Sequence, residues 1–188
     1  MRTKIVGWIR RAQRAALITH LISLQRDIFS CFLEDTYADN IYLYERRIHL
    51  QKAKCMRALL QLTRLQTPTE KNSFSPLFDL MLDYAQLRWR VSDHTIFTIC
   101  HDELAAINQA IITVLQQKQQ QMTPPRSLTL QTQPSLQQPM IDTEALAVAI
   151  DRFEENYQQV LQVTAREPLA FLLFIYSLKA FSKQIVDT

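Results

Sequence analysis

A single glycine is the feature that most constrains this 188-residue chain. An average protein of this length would contain about thirteen glycines, whereas here only Gly7 is present. Phosphate-binding loops, dinucleotide-binding turns and nucleophile elbows need glycine where the backbone approaches a ligand closely or takes a positive φ angle. Asn-Gly and Asp-Gly hairpin turns are also missing from the sequence. Functions that depend on such glycine-built loops are therefore excluded, and a β-rich fold is disfavoured.

The spacing of apolar residues predicts an all-α fold. Hydrophobic residues make up 47% of the chain and charged residues 21%, a balance typical of a helical globular domain. Apolar side chains recur every three or four positions, which predicts one domain, 1–188, built as an antiparallel bundle of about six helices. The predicted helices span about 4–35, 40–65, 76–91, 94–120, 142–164 and 168–186.

Asp, Asn, Ser and Pro, and not Gly, mark the predicted helix ends. Ser75 is a predicted N-cap followed by Pro76 at the first helical position, and Asp142 is the predicted cap of the fifth helix. A Pro- and Gln-rich segment at about 122–140 predicts a flexible loop before the last two helices. Helix connections in bundles usually have 2–8 residues, so this loop is unusually long.

The last predicted helix is apolar around most of its circumference. Such a helix lies either at the centre of a bundle or at a contact between subunits, and this predicts self-association. The predicted interaction surface consists of Phe171, Phe174, Leu178 and Phe181.

The cysteines and histidines show no pattern of a metal or catalytic site. Three cysteines without clustered spacing argue against a disulfide framework and favour a reducing compartment. No histidine lies at i,i+4 from another histidine. We therefore predict no metal, no cofactor and no catalytic residue. The alternative that stays open is a site assembled from Cys100, His101 and either Glu45 or Glu103.

Two groups mix aromatic and basic side chains, one at Arg88–Arg90 and one at 42–47. Stacking and phosphate contacts of this kind suit nucleic acid. A net charge of only +3 argues against that role, so no nucleic-acid partner is expected and the basic side chains are predicted to cover packed aromatic rings.

The positive charge is concentrated in the N-terminal third. Residues 1–66 contain twelve basic and five acidic side chains, a balance of +7, and the remainder of the chain carries −4. The predicted first helix begins with a core stripe at Ile5, Trp8 and Ala12, next to a basic cluster. This cluster, the basic cluster below, consists of Arg2, Lys4, Arg10, Arg11 and Arg14.

The basic cluster has two interpretations. It is either the outer face of an amphipathic helix or a membrane-proximal segment with an interfacial Trp8 that contacts an anionic membrane surface. In the second interpretation Gly7 marks a turn where the chain leaves the membrane. The sequence has neither a signal peptide nor a run of about 18–20 consecutive apolar residues, so no membrane span is predicted.

Several stretches resemble the soluble helical region of the fusaric-acid-resistance and aromatic-acid-exporter family of bacterial inner-membrane proteins. They are Leu77–Arg88 with its continuation to Asp93-His94, Asp102–Ile107 and Ala145–Tyr157, and residues 9–66 are compatible with the same region. The resemblance implies a non-catalytic helical domain on the cytoplasmic side of the inner membrane, flanked by the transmembrane segments of a parent protein. Its implied role is assembly, gating or regulation in the export of small organic or aromatic acids. No substrate-contacting residue is implied.

A different class of function is also open. The chain is then a stand-alone helical interaction protein, such as an adaptor or a secreted effector, that binds its partner through the apolar last helix or the Gln-rich loop.

Overall fold

The computed structural model describes residues 2–34, 40–65, 74–91, 95–122, 141–164 and 167–188, with the side chains of 2–4 and 161–164 outside the description. The predicted loop at 122–140 lies outside these ranges except for Met122. The described residues form eight helical segments and no strand, which confirms the all-α prediction. They are α1 (Arg2–Leu33), α2 (Ile41–Leu65), α3 (Phe74–Ala85), α4 (Leu87–Arg90), α5 (Thr95–Ile99), α6 (His101–Met122), α7 (Glu144–Thr164) and α8 (Pro168–Gln184).

Helix α1 lies between α2 and α6 and makes its most extensive contacts with these two helices. Arg10 Nε donates a hydrogen bond to the carbonyl oxygen of Leu65 at 2.7 Å, and Arg47 Nε lies 3.8 Å from Asp27 Oδ1. The C-terminal end of α2 therefore lies beside the first third of α1, and the two helices are antiparallel.

The other helices continue this antiparallel arrangement. Gln119 Nε2 at the end of α6 donates to Thr19 Oγ1 at 2.6 Å, and Asn156 Nδ2 of α7 donates to Glu103 Oε1 at the start of α6 at 2.9 Å. Helix α8 packs against α7 and α3, and α3 also contacts α1 and α2. The neighbours are thus α2, α1, α6, α7, α8 and α3 in order, which encloses one hydrophobic core.

Aromatic rings fill the centre of this core. Phe174 of α8 lies 5.5 Å from the ring centroid of Phe153, 5.9 Å from that of Phe32 and 6.4 Å from those of Phe29 and Tyr84. Offset and edge-to-face pairs at such distances add about 0.5–1.5 kcal/mol each to the burial of their apolar area. Helices α1, α3, α7 and α8 are thereby held together through one side chain.

Two predicted helices are interrupted in the structure. The third is divided at Gln86 into α3 and α4, and the fourth is divided at Cys100 into α5 and α6. The third also begins at Phe74, two residues before the predicted start, because Pro76 is tolerated in a first helical turn. The predicted cap of the fifth helix is confirmed, since Asp142 Oδ1 accepts a hydrogen bond from the backbone N–H of Glu144 at 3.1 Å.

The predicted core stripe is wrong for the first part of α1. Ile5 and Trp8 are 56% and 62% exposed, and Ala12 is exposed as well. The continuous buried stripe begins at Leu17. The cause is that the described parts of α2 and α6 end opposite residues 10–15 of α1, so no described helix covers the preceding turns.

Candidate interaction surfaces

The first turns of α1 form a surface that is both apolar and basic, called the α1 overhang below and consisting of residues 5–14. Ile5, Val6 and Trp8 are exposed apolar side chains, and Arg11 and Arg14 are exposed basic ones. The side chains of Arg2 and Lys4 lie outside the described residues. The structure therefore places the described members of the basic cluster on the same two to three turns as an exposed tryptophan.

Arg10 has a structural partner on a neighbouring helix. Its hydrogen bond to Leu65 lies at the C-terminus of α2, where the last carbonyl groups of a helix have no partner within the helix and a cation is favoured. Arg10 thus fixes the end of α2 against α1. Arg11 and Arg14 are the described arginines of the overhang whose residues are exposed to solvent.

Helix α1 also meets the length and composition of a membrane-spanning helix over Ile5–Leu33, and more than half of its most apolar window is buried. The sequence predicts no membrane span because no uninterrupted apolar run is long enough. The length and composition that α1 meets allow a few charged residues within the apolar stretch. The apolar residues from Leu17 onward form the core contacts with α2 and α6, which accounts for the composition of the helix.

The structure corrects the predicted interaction surface on the last helix. Phe171, Phe174, Leu178 and Phe181 are each at most 4% exposed, because they face α3, α7 and the aromatic core. They belong to the hydrophobic core and offer no surface to a partner. The exposed apolar residues of α8 lie on its opposite face and are Leu169, Leu172, Leu173 and Tyr176.

The residues considered for catalysis are brought together only in part. Cys100 Sγ and Glu103 Oε1 both accept hydrogen bonds from the side-chain amide of Asn156, at 3.9 and 2.9 Å. Burial raises the pKa of Cys100 to about 11, so the thiol is protonated at neutral pH and is a poor nucleophile. Glu45 forms a separate exposed pair with His49 on α2, with 3.9 Å between Oε1 and Nε2.

His101 is likewise not directed at the thiol. Its Nδ1 lies 3.3 Å from Asp102 Oδ1, on an exposed part of α6. Within the described residues, no group of three His, Cys, Asp or Glu side chains is arranged to hold a metal ion.

The side chains of the two aromatic and basic groups differ in how deeply they are buried. Arg88 is 7% exposed, and its guanidinium carbon lies 4.6 Å from the centre of the Phe97 ring, a cation–π contact. Tyr44 is also buried, whereas Tyr42 is exposed. The prediction that basic side chains cover packed aromatic rings is thus confirmed for Arg88.

A shallow groove of about 580 Å³ lies between α6 and α7 and is not among the surfaces predicted from the sequence. Its floor is formed by small side chains at i,i+4 spacing, Ala106 and Ala110 on α6 and Ala145 and Ala149 on α7. Small residues at this spacing on two neighbouring helices are the signal that predicts such a groove. Asp102, Glu103 and Arg152 contribute charge to its lining.

Comparisons with family models, with curated proteins and with solved structures find no match to this chain. The similarity to the aromatic-acid exporters stays a prediction from the residues quoted for it.

Proposed function

We propose that the chain is a non-catalytic helical domain that operates at the cytoplasmic face of a bacterial inner membrane. There it takes part in the assembly, gating or regulation of an exporter of small organic or aromatic acids. The α1 overhang is the observation that supports the membrane part of this proposal, and the family resemblance supports the export part.

The overhang has the two properties that a membrane-proximal segment needs. Trp8 is an amphipathic ring that is favourable at the level of the lipid headgroups, and Ile5 and Val6 add apolar surface that leaves water on contact. Arg11 and Arg14 each contribute about 1 kcal/mol near an anionic surface. Together these terms favour contact of the overhang with the anionic headgroup region.

Vesicle co-sedimentation tests the membrane part. The chain is mixed with vesicles of phosphatidylethanolamine and phosphatidylglycerol, and separately with neutral phosphatidylcholine vesicles. We expect binding to the anionic vesicles that weakens with added salt, since the charges are exposed. Replacing Arg11 and Arg14 together by Gln removes about 2 kcal/mol and weakens binding by about 30-fold.

A matched control comes from two exposed arginines outside the overhang, Arg26 and Arg152. Arg26→Gln/Arg152→Gln changes the net charge by the same amount and is expected to retain most of the binding. Equal loss in both double variants would show that binding follows net charge alone, and this result contradicts a specific role of the overhang.

The export part is tested on the reading frame from which the chain is translated. Apolar segments of about 20 residues on either side of the chain support it, because each is long enough to cross a bilayer. A reading frame that encodes only this chain would refute the role as a domain of a transmembrane exporter.

A further inference from the structure

Helix α8 carries two apolar faces, of which only one is used in the core. The exposed face consists of Leu169, Leu172, Leu173 and Tyr176, which are 68%, 46%, 44% and 71% exposed. Their spacing of i, i+3, i+4 and i+7 places them on a single stripe of the helix, called the α8 stripe below. A single exposed leucine needs no explanation, but a continuous stripe does.

The size of the α8 stripe fits a contact between two copies of the chain. Its four side chains expose on the order of 400–500 Å² of apolar surface, which lies within the range of about 300–600 Å² for the largest patch on a monomer, a patch that is often functional. A standard interface buries about 800 Å² on each partner, and about 65% of a homodimer interface is apolar. The stripe therefore supplies most of the apolar area that such an interface requires.

We propose that α8 pairs antiparallel with α8 of a second copy, around a two-fold axis that passes between Leu172 and Leu173. Each position i then lies opposite position 345 − i of the partner. Leu172 meets the partner's Leu173, and Leu169 meets the partner's Tyr176. A two-fold contact requires a surface that is complementary to itself, and the α8 stripe meets this requirement at all four positions.

The polar ends of the stripe suit the same arrangement. The turn that contains Lys179 comes close to the start of the partner's α8, where Glu167 lies. Lys179 is 47% exposed at the side chain and pairs with Glu154 and Asp151 of its own chain, so a further carboxylate can approach it without breaking a buried ion pair. Antiparallel helices also bring the positive end of one helix dipole near the negative end of the other.

A second cavity lies beside the stripe and belongs to the same surface. Arg90 of α4 lines it together with Leu169 and Leu173. Short helix α4 therefore provides a basic side chain, Arg90, next to the stripe, and arginine is enriched in protein interfaces.

Light scattering on the purified chain tests the pairing directly. We expect a mass that rises from monomer to dimer with concentration. Leu172→Glu/Leu173→Glu places four carboxylates close together at the two-fold axis and is expected to weaken the dimer by at least 100-fold. The matched control is Leu43→Glu/Leu50→Glu, which replaces two leucines that are equally exposed on α2 and should leave the dimer intact.

Cross-linking tests the position of the axis. Cys31, Cys55 and Cys100 are buried, so a cysteine introduced on the surface is the thiol that reacts in the folded protein. Leu172→Cys treated with a short bis-maleimide is expected to give a covalent dimer. Leu60→Cys, on the exposed face of α2, is expected to remain a monomer under the same conditions.

Three results would overturn the pairing: a monomer mass at the highest soluble concentration, an unchanged dimer in the Leu172→Glu/Leu173→Glu variant, or equal cross-linking at positions 172 and 60. A monomeric chain that captures a soluble protein through the stripe would assign the stripe to an adaptor function instead. The inference is independent of the proposed membrane function, because the overhang variants are expected to dimerise and the stripe variants to bind vesicles.

Discussion

Gly7 lies in the second turn of α1. Its φ angle is not positive, and apart from its chain neighbours and the adjacent helix backbone no described atom lies within 4 Å of the position that a Cβ would occupy. The interpretation of Gly7 as a turn is therefore wrong, since α1 continues through it from Arg2 to Leu33. Neither backbone conformation nor space requires a glycine here.

Replacing Gly7 by alanine is expected to stabilise the start of α1. Alanine is favoured over glycine by about 0.8–1 kcal/mol in a helix interior, and the gain is smaller near a helix end. We expect the free energy of unfolding to rise by about 0.5 kcal/mol, with the melting temperature higher by about 1–2 °C. Urea titration followed by circular dichroism measures this change.

The exposed Ala12 on the same helix provides the reverse substitution as a control. Ala12→Gly is expected to lower the free energy of unfolding by about 1 kcal/mol. If Gly7→Ala instead destabilises the chain, the first turns of α1 must adopt a backbone conformation other than this helix, one that glycine allows and alanine does not.

At the scale of elements, the sequence predicts which segments are helical better than where they are interrupted. The heptad-like seam from Ile96 through Cys100 to Val114 is buried as predicted. The interruption at Cys100 leaves this seam on one face, because Cys100 N–H still donates to the Ile96 carbonyl at 2.9 Å. The spacing of apolar residues indicates which side of a helix faces the core, but it does not indicate where a local turn interrupts the helix.

The two faces of α8 show why the interaction surface could not be chosen from the sequence. Phe174 and Leu172 are both large and apolar, and each lies on a continuous stripe of the helix. Which stripe is buried depends on the positions of α3 and α7, which are distant in the chain. The sequence alone shows that α8 has an excess of apolar residues. To know which of its two stripes is buried requires the tertiary structure.

A buried hydrogen-bond network joins three of the helices. The Gln25 side chain of α1 is fully buried and accepts a hydrogen bond from the Tyr84 hydroxyl of α3. Its Nε2 donates to Asn108 Oδ1 of α6 at 3.2 Å. A polar side chain in this position costs free energy unless both of its ends are paired, so the network fixes the relative position of α1, α3 and α6.

Replacing Gln25 by leucine is expected to lower the free energy of unfolding by about 2–3 kcal/mol, because the Tyr84 hydroxyl is left buried without a partner. Tyr84→Phe alone removes one hydrogen bond and is expected to cost about 1–2 kcal/mol. In the double variant neither partner is left unpaired, and the two losses should combine to less than their sum. Chemical denaturation of the four proteins gives the coupling energy.

An additive double variant would contradict this network. It would mean that Gln25 and Tyr84 contribute to stability through their packing alone.

At the scale of the whole molecule, the core contains several side chains that can ionise at high pH. Burial raises the pKa of Cys31 and of Cys55 from 9.0 to about 12, and that of Cys100 to about 11. Burial also raises the pKa of Tyr84 well above its usual 10. The core is therefore stable only while these groups keep their protons, and this links the packing of all the helices to pH.

Stability is expected to fall as the pH rises above 9. Between pH 9 and the raised pKa values, the thiols lose their protons in the unfolded chain but keep them in the folded one, so each step in pH favours unfolding. The loss is about 1 kcal/mol per thiol between pH 9 and pH 10. Lys118 acts in the opposite direction, because burial lowers the pKa of its ammonium group.

A variant with Cys31, Cys55 and Cys100 all replaced by alanine separates the thiols from every other group. It is expected to be less stable than the parent chain at neutral pH, because side-chain volume is lost from the core. Its stability should nevertheless fall by about 3 kcal/mol less than that of the parent between pH 9 and pH 10. Lys118 and the tyrosines are common to both proteins, so their contributions cancel in this comparison. Urea unfolding of both proteins at several pH values measures the two slopes. Parallel slopes in the parent and the triple variant would refute the burial of the thiols as the source of the alkaline transition.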